Sequence, residues 1–96
     1  MRLGTDMLAY AASQADAATA ETIPSRIPGK RAQTVRQPVG VGVGIAPVVL
    51  GVRAMAAPLA YGNTVVLKAS EQCPRTHAAI VDALHDGGVP SGAILW

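Results

Sequence analysis

At 96 residues the chain is the size of one small domain, and a composition that is 50% hydrophobic but only 3% aromatic, with no Phe, excludes the heavy aromatic burial of small self-sufficient folds. Eight Lys and Arg against six Asp and Glu give a net charge of +2, and without aromatics among the basic residues this argues against a base-stacking nucleic-acid binder. One cysteine excludes an intrachain disulfide framework and suits a reducing compartment.

The first predicted element is an alanine-rich helix from about Thr5 to Ala20, with Met7, Ala11, Ala15 and Ala18 at helical spacing. Asp6, Asp16 and Glu21 interrupt this region, so no targeting segment is read there and a cytoplasmic protein is expected. From Glu21 to Pro38, Pro24, Pro28, Gly29 and scattered β-branched residues predict two short strands joined near Pro28-Gly29. Arg26, Lys30, Arg31 and Arg36 in this segment read as charges that keep hairpin edges from aggregating. From Val39 the pattern alternates: strand Val39 to Ile45, helix Val48 to Tyr61, strand Thr64 to Ala69, helix Pro74 to Asp86, and a strand beginning near Ala93. Such alternation predicts a parallel sheet in an α/β protein. Pro74 suits the first turn of its helix and Gly87-Gly88 the far end, whereas Pro58 is expected to kink or shorten the helix that holds it. The charge-free stretch from Gln37 to Val52 contains Pro38, Pro47 and four glycines and is shorter than the ~20 apolar residues that span a bilayer. No membrane partner is expected.

The run Thr64 to Leu67 lacks alternation and therefore reads as a strand covered on both faces. Beyond its carboxyl end stand Lys68, Ser70 and Glu71, where open parallel sheets hold their ligands. An ammonium can donate to ribose oxygens, and an ionised carboxylate offers two acceptors to a pair of ribose hydroxyls while repelling an added phosphate. That chemistry favours NAD over NADP. Taken alone, the same residues are an exposed lysine at a strand end and an acid before a helix N-terminus. Gly40, Gly42 and Gly44 alternate at period two, with Ile45 where the third glycine of G-x-G-x-x-G would stand. They clear one face of a strand for a helix or a cofactor, packing being the simpler reading. Cys73 reads as a small half-buried residue, and His77 and His85 as surface histidines of an amphipathic helix, without zinc-ligand spacing.

The segments Arg36-Gln37-Pro38-Val39-Gly40-Val41, Gly44-Ile45-Ala46-Pro47, Gly51-Val52-Arg53-Ala54, Pro58-Leu59-Ala60 and Gly62 through Glu71, with Ile23-Pro24-Ser25 upstream, resemble the cofactor-binding domain of the aldehyde dehydrogenase superfamily. The salicylaldehyde and benzaldehyde dehydrogenase branch is the most similar. The resemblance implies an incomplete Rossmann-like βαβαβ unit preceded by a helix and an antiparallel hairpin of oligomerisation type. It divides the chain into the helix of residues 1–20, the hairpin of residues 21–38, expected to build a homo-oligomer, and the partial NAD-binding unit of residues 39–96. It implies that Ile45, Ala46 and Pro47 line the nicotinamide side, that Lys68 and Glu71 hold the adenosine ribose, and that Ser70 lies beside them. Members are several times longer, so the chain is expected to be an internal piece. Their nucleophilic cysteine and general-base glutamate lie downstream of the part matched here. After Gly-Ile-Ala-Pro the family continues Trp-Asn-x-Pro, but here Pro47 runs into Val48-Val49-Leu50-Gly51. About four residues, including an asparagine that donates to the oxyanion, are expected to be missing. Two readings follow: a piece of an NAD-dependent enzyme that oxidises an aldehyde, aromatic by branch, to its acid; or a non-catalytic remnant that binds a nucleotide or assembles.

Overall fold

The chain was analysed as a computed structural model, which describes residues 2–17 and 20–96. Its elements in chain order are α1 (Arg2–Ala17), β1 (Glu21–Ile23), β2 (Ala32–Thr34), β3 (Val41–Ile45), α2 (Val48–Ala60), β4 (Thr64–Lys68), α3 (Pro74–Asp86) and β5 (Ile94–Leu95). The first helix begins three residues before the expected Thr5; Ala18, counted on its apolar face, lies outside the described residues. Gly4 and Ala11 are its buried positions, and a methyl added at Gly4 would meet the Val52 side chain on α2 at an ordinary 3.7 Å. Ala15, expected on the same face, is exposed.

β1 and β2 pair antiparallel with Thr22 opposite Gln33. The intervening turn has Gly29 at φ 78°, a left-handed conformation that costs glycine little. Every residue of the two strands except Ala32 is exposed.

Strands β3, β4 and β5 form a parallel sheet in that order, with Val43 opposite Val66 and Val66 opposite Leu95. Its entry is fastened by Asn63, whose Oδ1 accepts from the backbone N–H groups of Val39 (2.7 Å) and Gly40 (3.1 Å) while Nδ2 donates to the Pro58 carbonyl (3.1 Å). Pro58 does not interrupt α2, which ends two residues later. Pro58 has no N–H to give the Ala54 carbonyl one turn earlier, while its own carbonyl accepts from Tyr61 N–H at 3.2 Å and Asn63 N–H at 3.0 Å as the helix closes. α3 begins on Pro74, and Gly88 at φ 101° closes it as Val89 N–H returns to the Leu84 carbonyl at 3.0 Å.

The core joins Val52 and Met55 of α2, Val65 and Leu67 of β4, Ile80 and Val81 of α3, and Ile94 of β5. All of it lies on one face of the sheet. The expected cover of β4 is met on one face by this chain's own helices: Val65 and Leu67 are buried, Val66 is half-buried, and Val41, Val43, Ile45 and Leu95 on the opposite face are 64–76% exposed. Topology explains this. Strand order advances in one direction from β3 to β5, and right-handed crossovers that advance together put both helices on the same side.

Candidate functional site

At the carboxyl ends of β3 and β4 lies an open cleft of about 390 Å³. Ladder register creates it: Ile45 and Lys68, the last residues of the two strands, are direct Cα partners, so the segments that follow diverge from one point. One wall is Ile45, Ala46 and Pro47; the other holds Lys68, Ser70 and Glu71. All six residues singled out from the sequence thus share one cleft. Ala69 and Gln72 also line it and were not singled out, although their position within the same tip was a usable signal.

The first wall is short because α2 starts at Val48, leaving two residues between strand and helix. Pro47 stands before the helix at φ −76° and ψ 155°, and its carbonyl accepts from Gly51 N–H at 3.1 Å, the first turn of α2. The second wall is held by its own turns. Ser70 Oγ accepts from Gln72 N–H at 3.3 Å, and the Ser70 carbonyl accepts from Cys73 N–H at 3.2 Å. At the rim, Lys68 Nζ donates to Glu71 Oε1 at 2.8 Å, with side chains 57% and 86% exposed. The hydrogen bond from the Lys68 ammonium, and then its charge, hold the Glu71 carboxyl below its ordinary range. The carboxylate is ionised at neutral pH and presents acceptor oxygens beside an ammonium donor. This donor and acceptor pair fits the hydroxyls of a vicinal diol such as a ribose.

The glycines of β3 face α2 and not the cleft. A methyl at Gly42 would lie 3.7 Å from Pro58, and one at Gly44 only 2.8 Å from the Ala54 Cβ. Packing is therefore what these two positions serve.

The reading of His77 and His85 as surface residues is corrected. His77 has no exposed area, and His85 is half-buried with Nδ1 2.8 Å from the Val89 carbonyl. His77 precedes Ile80 and Val81 by three and four positions, so the helical period places it on the buried stripe of α3. Its Nδ1 lies 3.2 Å from the Cys73 carbonyl and 3.8 Å from the Cys73 sulfur, and its Nε2 has no hydrogen-bond partner. Cys73 is half-buried, as expected. Among the described residues no group of three His, Cys, Asp or Glu is placed to hold a metal ion, and no helix is long and apolar enough to cross a membrane.

Comparison with known proteins gives this cleft its context. Residues 1–95 match the aldehyde dehydrogenase family. A vanillin dehydrogenase of Pseudomonas sp. (strain HR199) is 51% identical over 96 residues, a match that takes in 96% of this chain and 20% of the relative. The crystal structure of a salicylaldehyde dehydrogenase from Pseudomonas putida G7, complexed with salicylaldehyde, superposes with a TM-score of 0.88 at 40% identity, covering 97% of this chain and 20% of that one. An NAD-dependent benzaldehyde dehydrogenase from Corynebacterium glutamicum superposes with a TM-score of 0.82 at 31% identity, covering 97% and 21%. The chain belongs to the aldehyde dehydrogenase family and spans about a fifth of the length of these relatives.

Proposed function

We propose that the chain supplies the adenosine-ribose contacts and one nicotinamide-side wall of an NAD site in an enzyme that oxidises an aromatic aldehyde to its acid. The observation that carries the reading is the Lys68–Glu71 ion pair standing at the rim of a cleft whose opposite wall is Ile45, Ala46 and Pro47. Lys68 donates to a ribose oxygen and Glu71 accepts from ribose hydroxyls, while Ser70 holds the turn between them. Bound NAD supplies the acceptor for the hydride that leaves the aldehyde carbon. The family includes NAD- and NADP-dependent members. Preference for NAD rests on Glu71: a phosphate on the same ribose would face an ionised carboxylate in place of a hydroxyl. The aromatic aldehyde rests on the vanillin and salicylaldehyde dehydrogenases among the relatives. The chain's own part is binding, with the nucleophile and general base supplied by other regions of the family's longer proteins. Assembly is the second part of the reading, favoured by the exposed strands of the hairpin, whose free edges suit pairing with another copy.

Thermal unfolding with added nucleotide tests this. At a hundred times its dissociation constant a ligand adds about 2.7 kcal/mol, which for a domain of this size is a rise of roughly 10–20 °C. NAD is expected to produce such a rise, NADP a smaller one, and Glu71→Ala none. Absence of a rise in the unmutated chain removes the binding claim. Turnover of benzaldehyde or salicylaldehyde by the purified chain is expected to be absent; robust turnover that survives Cys73→Ser would show that the chain carries more of the chemistry than binding.

A further inference from the structure

His77 is the largest buried polar group outside the cleft, and its surroundings tie it to both cleft walls. Through Nδ1 it reaches the Cys73 carbonyl at 3.2 Å; a carbonyl only accepts, so the proton of this contact sits on Nδ1. Cys73 is the residue whose N–H closes the Ser70 turn at 3.2 Å, so this end of the ring holds the wall that carries Ser70 and Glu71. The other end of the ring presses on Gly51. A methyl at that glycine would lie 3.0 Å from Nε2, 3.3 Å from the adjacent ring carbon and 3.7 Å from the Ala46 carbonyl. Gly51 in turn donates to the Pro47 carbonyl at 3.1 Å, the bond that sets where α2 leaves the wall of Ala46 and Pro47. Nε2 is buried without a partner, a cost that a purely apolar side chain at this point of the core would not incur.

We propose that His77 is a positioning residue: its ring is a strut beneath the cleft, one edge bonded to the turn of Cys73 and the other wedged against Gly51, and it sets the separation of the two walls. Gly51 lacks a side chain because the ring occupies that space. The consequence for binding rests on the nucleotide reading of the cleft; the strut itself does not.

The test compares His77→Ala, His77→Asn and His77→Gln in this chain, read first by amide hydrogen exchange without ligand. Asparagine keeps a donor at the Nδ1 position and gives up the reach to Gly51, whereas glutamine extends as far as Nε2. Exchange at Gly51 is expected to rise by about tenfold in His77→Ala and His77→Asn and to stay near the unmutated rate in His77→Gln; exchange at Cys73 rises in His77→Ala and not in His77→Asn. The Val65 amide, bonded to the Ala93 carbonyl at 2.8 Å in the sheet, serves as the reference for global stability. Equal acceleration at Gly51, Cys73 and Val65 in every variant would reduce His77 to general core support and overturn the proposal, as would an unchanged Gly51 rate in His77→Asn. If His77→Ala does not fold, the contrast between asparagine and glutamine decides. NAD affinity is then expected to weaken, by up to about tenfold, in both His77→Asn and His77→Gln, each of which keeps only one end of the strut. No binding by the unmutated chain would remove the nucleotide reading alone, while the exchange pattern still judges the strut.

Discussion

Gly44→Ala tests how closely the sheet and α2 define the cleft. Gly44 is buried in the middle of the contact, and its added methyl would stand 2.8 Å from the Ala54 Cβ and 3.3 Å from the Leu67 side chain. Carbon atoms rest at about 3.5–4.0 Å, so α2 must withdraw by about 0.7 Å or more at Ala54. Neither obstacle can swing aside: Ala54 has no torsion to turn, and Leu67 is 2% exposed in the core. Overpacking of this kind costs about 1–3 kcal/mol, against a total stability near 5 kcal/mol for a small domain. With a urea m-value of about 1 kcal/mol/M the unfolding midpoint falls by about 1–3 M. Gly42→Ala is the internal control, because its methyl meets Pro58 at an ordinary 3.7 Å and is expected to change stability by less than about 1 kcal/mol. Ala54→Gly added to Gly44→Ala removes the opposing methyl, and is expected to cost less than the sum of the two single changes, Ala54→Gly alone costing about 1 kcal/mol inside a helix. Equal midpoints for Gly42→Ala and Gly44→Ala, or strict additivity of Gly44→Ala and Ala54→Gly in the double variant, would refute the assignment of these glycines to helix packing.

Two further perturbations address the ends of the same sheet. Asn63→Ala removes the acceptor for Val39 and Gly40 N–H and the donor to the Pro58 carbonyl, and is expected to lower stability by about 1 kcal/mol in denaturant titration, since the freed groups lie near water; an unchanged midpoint would show that water replaces the side chain fully. For Glu71 the folded carboxyl titrates below its ordinary value of 4.5, so its stabilising share is whole above that value and is lost as pH falls through the lowered one. Side-chain NMR titration is expected to show this, and Lys68→Ala to return the midpoint to the ordinary value. A titration untouched by loss of Lys68 would mean that the ion pair is not held in solution.

How far the fold could be read from the sequence depends on what each residue's neighbours are. Pro74 and Gly88 mark the ends of α3 locally, and the apolar run of β4 followed by Lys68, Ser70 and Glu71 is a strand and its tip by chemistry alone; these agree with the structure. The unbroken run of β-branched residues signals a parallel strand, while which face of Val66's strand this chain's own helices cover depends on the direction in which the crossovers advance. His77 was misjudged because a titratable side chain outweighed its place on the stripe with Ile80 and Val81. The tie through Asn63 spans 24 residues to Val39, and no local pattern announces a side chain that bonds across such a distance. The six cleft residues come together because Ile45 and Lys68 share a rung, which the sequence shows only once two parallel strands are paired in register.

One parity choice then governs both packing and chemistry. On β3 the even positions Gly42 and Gly44 turn to α2, so Val41, Val43 and Ile45 point to the opposite face. On β4 the register matches Val65 to Gly42 and Leu67 to Gly44, so these enter the core and Lys68 emerges with Ile45. Had β4 slipped by one residue, Lys68 would point into the helices, where an unpaired ammonium is too costly to bury. The small residues that let α2 lie close to β3 are therefore part of what carries the Lys68 ammonium out to the rim, within 2.8 Å of Glu71. A substitution that disturbs the glycine face reaches the cleft through the register, without touching any residue that lines it.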